Sequence, residues 1–304
     1  MLSMIEYTKH PKLFFASLLR AIGFLFPDKL YLQLLYYLIM GKRLSIKNPR
    51  TFGEKIQWLK LYDRRPEYAI MVDKYAAKKY VTNLIGSEYV IPVLGVWDRP
   101  EDINFDGLPQ QFVLKTTHGG GSCGVIICKN KGLMDREGTI KRLNSALKYD
   151  VYNTFREWPY KNVPHRIIAE PYISNSSNSN QDLTDYKFYC FNGVPTYCQV
   201  IKDRHTKETI DFFDMEWRHL SFYGLNPNVG PAEIVPAKPI HFDKMKEIAH
   251  ILSERLTFSR IDLYDANDGP LFGEITLYPA SGIGTFNPYE YNAILGEMIK
   301  LPNR

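Results

Sequence analysis

The feature that most constrains this 304-residue chain is a turn signal, Asn267-Asp268-Gly269, set between two strand-like runs at 258–265 and 271–277. An antiparallel hairpin symmetric about Asp268 puts Asp262 opposite Glu274 and Arg260 opposite Thr276. The two-residue period of a strand then gathers all four on one face. Opposed carboxylates repel across a ladder unless positive charge lies between them, so removing both would relieve it. Two explanations of the pair stand: Arg260 closes a structural salt-bridge cluster, or a hard divalent cation is shared between the carboxylates and nucleotide phosphates. The second accounts better for the pair. Both depend on register, because a one-residue slip turns one partner to the other face.

A second local pattern lies upstream. Residues 112–116, Phe-Val-Leu-Lys-Thr, read as a strand, residues 117–124 as a glycine-rich loop, and 125–128 as a returning strand. Glycines let backbone N–H groups close on phosphate oxygens, and Lys115 adds a point charge. An unpaired lysine in an apolar strand is costly, which favours a binding role. The loop is not a Walker loop, since no G-K-[ST] follows and the exit is a strand.

Elsewhere Thr51-Phe52-Gly53-Glu54 has capping-box spacing ahead of Phe52, Ile56 and Leu59. One helix is expected over 67–85, with Ala69, Val72, Ala76, Tyr80 and Leu84 inward and Gly86 as the stop. Its Lys74 and Lys78 share another face, ordinarily a solvated stripe. Further helices are marked by Ile140/Leu143/Leu147 and Met245/Ile248/Leu252/Leu256, and a last one is expected to open at Asn287-Pro288. Residues 174–181, SNSSNSNQ, read as a surface loop. Helices mixed with hairpins predict an α+β fold rather than a doubly wound parallel sheet.

The stretch 13–40 is apolar but broken at Phe26-Pro27-Asp28, and neither half reaches the ~20 residues of a spanning helix. Two readings stand side by side: both helices pack on the protein, or they lie on a membrane surface. Charge bears on the second. The whole chain has 38 Lys+Arg against 33 Asp+Glu, too mild an excess to indicate nucleic acid, yet residues 1–50 hold eight of those cations against two carboxylates. With 45% hydrophobic and 23% charged residues the chain is ordinary globular material, not a disordered or fibrous one. Cys123, Cys128, Cys190 and Cys198 form no C-x-x-C pair, and with no secretory leader visible they are expected to be reduced, buried thiols in a cytoplasmic protein.

Taken together these segments resemble the ATP-grasp superfamily, in particular its TupA-type branch associated with cell-surface polysaccharide synthesis. The resemblance runs from about residue 43 to 302. It is carried by 48–55 (NPRTFGEK), 72–75 (VDKY), 112–115 (FVLK) with His118-Gly119-Gly120, 168–172 (IAEPY), 185–193 (DYKFYCFNG), 260–264 (RIDLY) and 273–276 (GEIT). The resemblance implies two α+β subdomains clamping ATP, at 111–173 and 174–304, behind a helical segment at 1–42 and an N-terminal domain at 43–110.

It further implies a nucleotide site made by Lys74, Lys115, His118, Gly119, Gly120, Gly121 and Ser122, with Glu170, Pro171, Tyr172 and Ile173 as the hinge that reads adenine. Asp185 and Lys187 would reach ribose and phosphate. Asp262 and Glu274 would hold Mg²⁺. Thr276 stands where many ATP-grasp ligases carry Asn, which bears on the third metal ligand. Lys115, Lys187 and Arg260 would carry catalysis.

The function expected is an ATP-dependent carboxylate–amine ligase in capsular or wall polysaccharide biosynthesis. It would join a carboxylate-bearing sugar or amino acid to an amine through an acyl phosphate, with a lipid-linked glycan as an acceptor and no nucleic-acid partner. The rivals are an ATP-grasp kinase phosphorylating a glycan hydroxyl, a nucleotide-sugar glycosyltransferase, ranked lower because the chain has no Asp-x-Asp, and a non-enzymatic ATP-binding scaffold. Residues 156–160, Arg-Glu-Trp-Pro-Tyr, are a candidate acceptor loop, though a packed loop is the better use of them.

Overall fold

The computed structural model describes residues 11–119, 124–173, 184–202, 207–226 and 228–303. Helices α1 (Pro11–Ala21) and α2 (Asp28–Met40) form a hairpin, followed by α3 (Phe52–Tyr62), α4 (Glu67–Val72) and α5 (Ala76–Ile85). Then come β1 (Gly95–Trp97), β2 (Phe112–Thr116), β3 (Val125–Cys128), α6 (Arg136–Leu147), α7 (Val151–Phe155) and β4 (Ile167–Pro171). The remainder is β5 (Asp185–Phe191), β6 (Val194–Lys202), β7 (Thr209–Asp214), β8 (Tyr223–Gly224), α8 (Phe242–Ser253), β9 (Phe258–Ala266), β10 (Gly269–Thr276), β11 (Phe286–Asn287) and α9 (Tyr291–Met298).

Two antiparallel sheets carry the architecture, ordered β1-β4-β2-β3 and β10-β9-β5-β6-β7. Each has one apolar and one mixed face, as the strand period requires. In β2, Phe112 and Leu114 are buried in a core with Leu143 of α6, while Val113 and Lys115 face the other way. In the larger sheet Phe188, Cys198, Val200, Ile261 and Leu263 share a core with Phe242, Met245, Ile248 and Leu252 of α8. Its opposite face carries Asp185, Lys187, Gln199, Arg260 and Asp262. The β5–β6 connection is Asn192-Gly193, both left-handed (φ 51° and 82°), the pair a tight type I′ hairpin demands. The mixed helices and antiparallel sheets make the fold α+β.

Three expectations are corrected here. The helix over 67–85 is two helices broken at 73–75, because the Asp73 carboxylate accepts from the Tyr75 and Ala76 backbone N–H groups (2.8 and 3.3 Å) and so caps a new start. The buried face accordingly shifts to Tyr68, Met71 and Val72, then Ala77, Lys78 and Val81, and Leu84 is exposed. The last helix begins at Tyr291, not at Asn287-Pro288, since Asn287 pairs with Tyr223 as a strand residue.

Other expectations hold. The Thr51–Glu54 capping box is present in full. Cys128, Cys190 and Cys198 are buried free thiols, while Cys123 and the 174–181 stretch lie outside the described residues. Within residues 156–160, Arg156 and Glu157 are buried, so this segment is packed. The N-terminal hairpin packs on the body through Ala16, Leu19, Tyr31, Leu32, Leu35 and Tyr36.

Candidate active site

Asp262 does face Glu274, and Arg260 faces Thr276, but the hairpin reaches this register by a different route. Its turn is the two-residue Asn267-Asp268, with Ala266 paired to Gly269, and continuing that register would place Asp262 opposite Gly273. A β-bulge at Gly273 shifts the pairing by one and returns Glu274 to the side of Asp262. A Cβ on Gly273 would lie 3.0 Å from the Asp262 carbonyl oxygen, so the bulge has little room for a side chain.

Cations surround the two carboxylates. Arg260 donates to Asp262 through Nε and Nη2 (both 2.7 Å), and Nη2 also reaches Glu274 (3.1 Å) and the Thr276 hydroxyl (3.0 Å). Lys187 pairs with Asp262 and lies 3.4 Å from Asp185. Lys74 Nζ completes the ring at 2.9 Å from Glu274. Burial alone would raise the Glu274 carboxyl, yet Lys74, Arg260 and Lys187 hold it well below the usual carboxylate range. The salt-bridge cluster considered from sequence is therefore real, and it is larger than Arg260 alone.

A second cluster lies on the smaller sheet. Lys115 and Lys78 each donate to Glu170 at 2.6 Å, and Lys78 also donates to the Ile91 carbonyl (2.6 Å). Lys78 is thus buried rather than part of a solvated stripe. Burial lowers its ammonium pKa while Glu170 partly restores it, and burial of Glu170 is overridden by Lys115 and Lys78, which keep that carboxyl below its ordinary value. Glu170 serves here through its side chain as a shared counter-ion.

Between the sheets opens a cavity of about 670 Å³. Lys74, Lys115, Glu170, Pro171, Tyr172, Ile173, Asp185, Lys187, Asp262 and Glu274 line it, which brings most of the expected nucleotide and metal residues to one place. Ile91, Val113, Val125, Ile126 and Ile127 make an apolar wall, with Lys129, Arg142 and Tyr264 nearby. Sequence reading missed these and Lys78. The one available signal for Lys78 is its place a helical turn after Lys74.

His118 is elsewhere. It is buried, stacked on His165 with centroids 3.6 Å apart and planes 5° apart, and burial beside that ring pulls its imidazole down to about 4. The Gly119 carbonyl accepts from Lys74 Nζ (2.8 Å); Gly120, Gly121 and Ser122 lie outside the described residues.

Arg260 lines a second, smaller cavity of about 190 Å³ on the same sheet face, with Gln199, Glu208, Asn226, Leu225 and Ala280. Leu225, Ala280 and the following Ser281 are left-handed, at φ 69°, 45° and 52°. Such strain persists only where surroundings enforce it. Here fully buried Lys60 donates to the Ser281 carbonyl (2.7 Å) and hydroxyl (2.8 Å), and Gln57 donates to the same carbonyl (2.9 Å).

Asp262 and Glu274 suit Mg²⁺, which takes one or two carboxylates and completes its shell with phosphate oxygens and water. Among the described residues no group of three or more His, Cys, Asp or Glu side chains is placed to hold an ion, so the remaining ligands would come from nucleotide and solvent. Thr276 is engaged by Arg260 and donates to Glu274 (3.1 Å), a partner that orients the carboxylate.

Two antiparallel sheets flank one cleft, with lysines on both and opposed carboxylates on one, the arrangement of an ATP-grasp fold. The model of the TupA-like ATPgrasp family matches residues 54–300, and the chain belongs to that family. Among solved structures it is similar to the D-alanine–D-alanine ligase of Helicobacter pylori (16% identity, 82% of this chain and 69% of that one, TM-score 0.45). It is also similar to the D-alanine–D-alanine ligase of Bacillus anthracis complexed with ATP (18%, 68% and 54%, TM-score 0.38) and to the ATP-grasp ligase PsnB complexed with minimal precursor (13%, 81% and 67%, TM-score 0.43). The chain spans about half of the Bacillus anthracis enzyme's length, 54%. No curated protein matches the sequence.

Proposed function

We propose that the chain is an ATP- and Mg²⁺-dependent carboxylate–amine ligase of capsular or wall polysaccharide biosynthesis, working in the cytoplasm on precursors that include lipid-linked glycans. The observation that carries this reading is the mixed lining of the 670 Å³ cleft. Ile91, Val113, Val125, Ile126, Ile127 and the 171–173 hinge give it apolar surface suited to a purine ring. Lys115, Lys74, Lys187, Asp262 and Glu274 give it the charges that suit a polyphosphate with its metal ion.

In this reading Lys115 and Lys187 bind and orient the phosphates from opposite sheets, and Asp185 reaches the ribose. Asp262 and Glu274 would hold Mg²⁺, which when bound supplies neutralisation of phosphate charge. A substrate carboxylate oxygen attacks the γ-phosphorus and ADP leaves, giving an acyl phosphate. An amine then attacks the acyl carbon, phosphate leaves and the nitrogen loses a proton. Arg260, which lines the smaller cavity and pairs with Asp262 and Glu274 of the larger one, steadies negative charge on the acyl centre.

The test incubates the full chain with ATP, Mg²⁺, candidate uronates and an amino-acid mixture. ADP release requiring both a carboxylate and an amine, with an amide found by mass spectrometry, is the expected result. ADP release with a phosphorylated hydroxyl and no need for amine would replace the ligase by the kinase.

A further inference from the structure

We propose that the hairpin of α1 and α2 is a docking surface for an anionic lipid bilayer. Nine of the 22 exposed large hydrophobic side chains among the described residues fall between Phe14 and Tyr37, far more than an even scatter would place there. Leu30, Leu34 and Tyr37 follow one another along α2 at helical spacing. Phe15 and Leu18 project from α1, and Phe24 and Leu25, at 76% and 65% exposure, occupy the turn between the helices. Lys12 lies 5.7 Å over the Tyr37 ring, which ties the start of α1 to the exposed stripe of α2. Exposed apolar side chains thus occur along the whole hairpin, from Phe14 to Tyr37.

This exposure does not come from a loosely attached segment. The other face of the hairpin is buried, and its turn is pinned: Arg156 donates to the Gly23 carbonyl (2.6 Å) and pairs with Asp28 (3.2 Å), Arg64 pairs with Asp28 (2.6 Å), and Tyr31 donates to the Thr154 carbonyl (2.9 Å). The hairpin is apolar on both sides, with one side already used.

Charge names the occupant. Lys12, Arg20, Lys29, Lys42 and Arg43 are exposed on and next to the hairpin, and the only carboxylate between residues 11 and 50 is Asp28, already held by Arg64 and Arg156. A second copy meeting this face about a two-fold axis would set cations against cations. An anionic bilayer supplies the opposite sign and takes the aromatic and leucine side chains as well. With 11 and 13 residues the helices are about 16 and 20 Å long, short of the ~30 Å hydrocarbon core, so the hairpin lies in the interface.

The test is co-sedimentation of the full chain with vesicles of phosphatidylcholine containing phosphatidylglycerol, beside vesicles of phosphatidylcholine alone. Binding needs no turnover, so its outcome is separate from that of the ligase assay. The wild type is expected to sediment with the anionic vesicles and to lose most of that binding in high salt, where the Debye length shrinks to about 3 Å. The double variant Phe24→Ser/Leu25→Ser should lower partitioning at least about tenfold, and Lys12→Gln/Lys29→Gln should remove the preference for anionic lipid, both with unchanged melting temperature. Failure of the wild type to bind, or equal binding by a folded Phe24→Ser/Leu25→Ser, would overturn the proposal. So would a lipid-free dimer that this variant dissociates, which would assign the face to self-association.

Discussion

Lys74 Nζ stands 2.9 Å from Glu274 and 2.8 Å from the Gly119 carbonyl, so one side chain joins the end of the glycine-loop strand to the carboxylate hairpin 200 positions away. The break between α4 and α5 makes this reach available: with Asp73 capping α5, Lys74 leaves the helical path, and its backbone N–H donates to the Thr117 carbonyl (3.0 Å). The two sheets that form the cleft are coupled through this residue.

Lys74→Met removes that tie and leaves Glu274 with Arg260. The loss of a charge-assisted hydrogen bond is expected to cost about 1.5–3 kcal/mol, divided between stability and nucleotide affinity. Calorimetric titration with ATP and Mg²⁺, alongside urea unfolding, reads both. A variant with wild-type values in each would show that the bridge couples nothing.

Lys115→Ala should impair activity far more than folding. Glu170 retains Lys78 as a counter-ion at 2.6 Å, so no buried carboxylate is stranded. ATP affinity is expected to fall by roughly 1.5–3 kcal/mol, or about ten- to a hundredfold. Unchanged affinity and turnover in a folded variant would remove Lys115 from the phosphate site.

Local pattern made much of this site legible, though not always for the right reason. Asp262 and Glu274 are opposed as the turn signal suggested, but through two departures from a symmetric hairpin that cancel: a tighter turn and the bulge at Gly273. Bulges depend on sheet twist and packing, and a lone glycine in a strand only hints at one. Lys78 was hidden because its partner Glu170 lies on a distant strand, and helical periodicity cannot distinguish a solvated lysine from one paired across the fold. The apolar cleft wall, from Ile91 to Ile127, reads in sequence as ordinary core. It becomes a wall only when the second sheet stands opposite.

Asp262→Asn/Glu274→Gln is expected to destabilise the protein by about 3–5 kcal/mol, the cost typical of breaking buried ion pairs. Repulsion between the carboxylates would have made this double change mild. With Arg260, Lys187 and Lys74 around them, the carboxylates are instead the counter-ions of three cations. Urea midpoints decide the matter, and a double variant as stable as the wild type would mean that carboxylate repulsion dominates.

Glu274→Gln alone should also blunt acid sensitivity. The folded carboxyl is held well below its ordinary range despite burial, by Lys74, Arg260 and Lys187. The unfolded chain therefore takes up its proton first as pH falls, so this contribution is full at neutral pH and is lost through and below the ordinary carboxylate range. The difference in stability between wild type and variant should narrow as pH is lowered from 6 toward about 3. A constant difference would dissociate Glu274 from the acid response.

His118 gives the complementary pH dependence at higher pH. Burial, with the His165 ring stacked on it, lowers its imidazole from the ordinary 6.5 to about 4, so the folded protein keeps it neutral where the unfolded chain protonates it. The unfolded state then binds more protons between those values, and stability falls as pH drops from 6.5 toward 4. The loss reaches roughly 2 kcal/mol by pH 5, at 1.4 kcal/mol per unit. His118→Phe keeps an aromatic ring against His165 and removes the titrating group. Its urea midpoint should therefore change less between pH 7 and pH 5 than that of the wild type, by an amount matching this loss. Nucleotide affinity at pH 7 should be unaltered, because His118 does not line the cleft. Parallel pH profiles for the two proteins would mean that His118 titrates normally in the fold, and a fall in ATP affinity would return it to the nucleotide site.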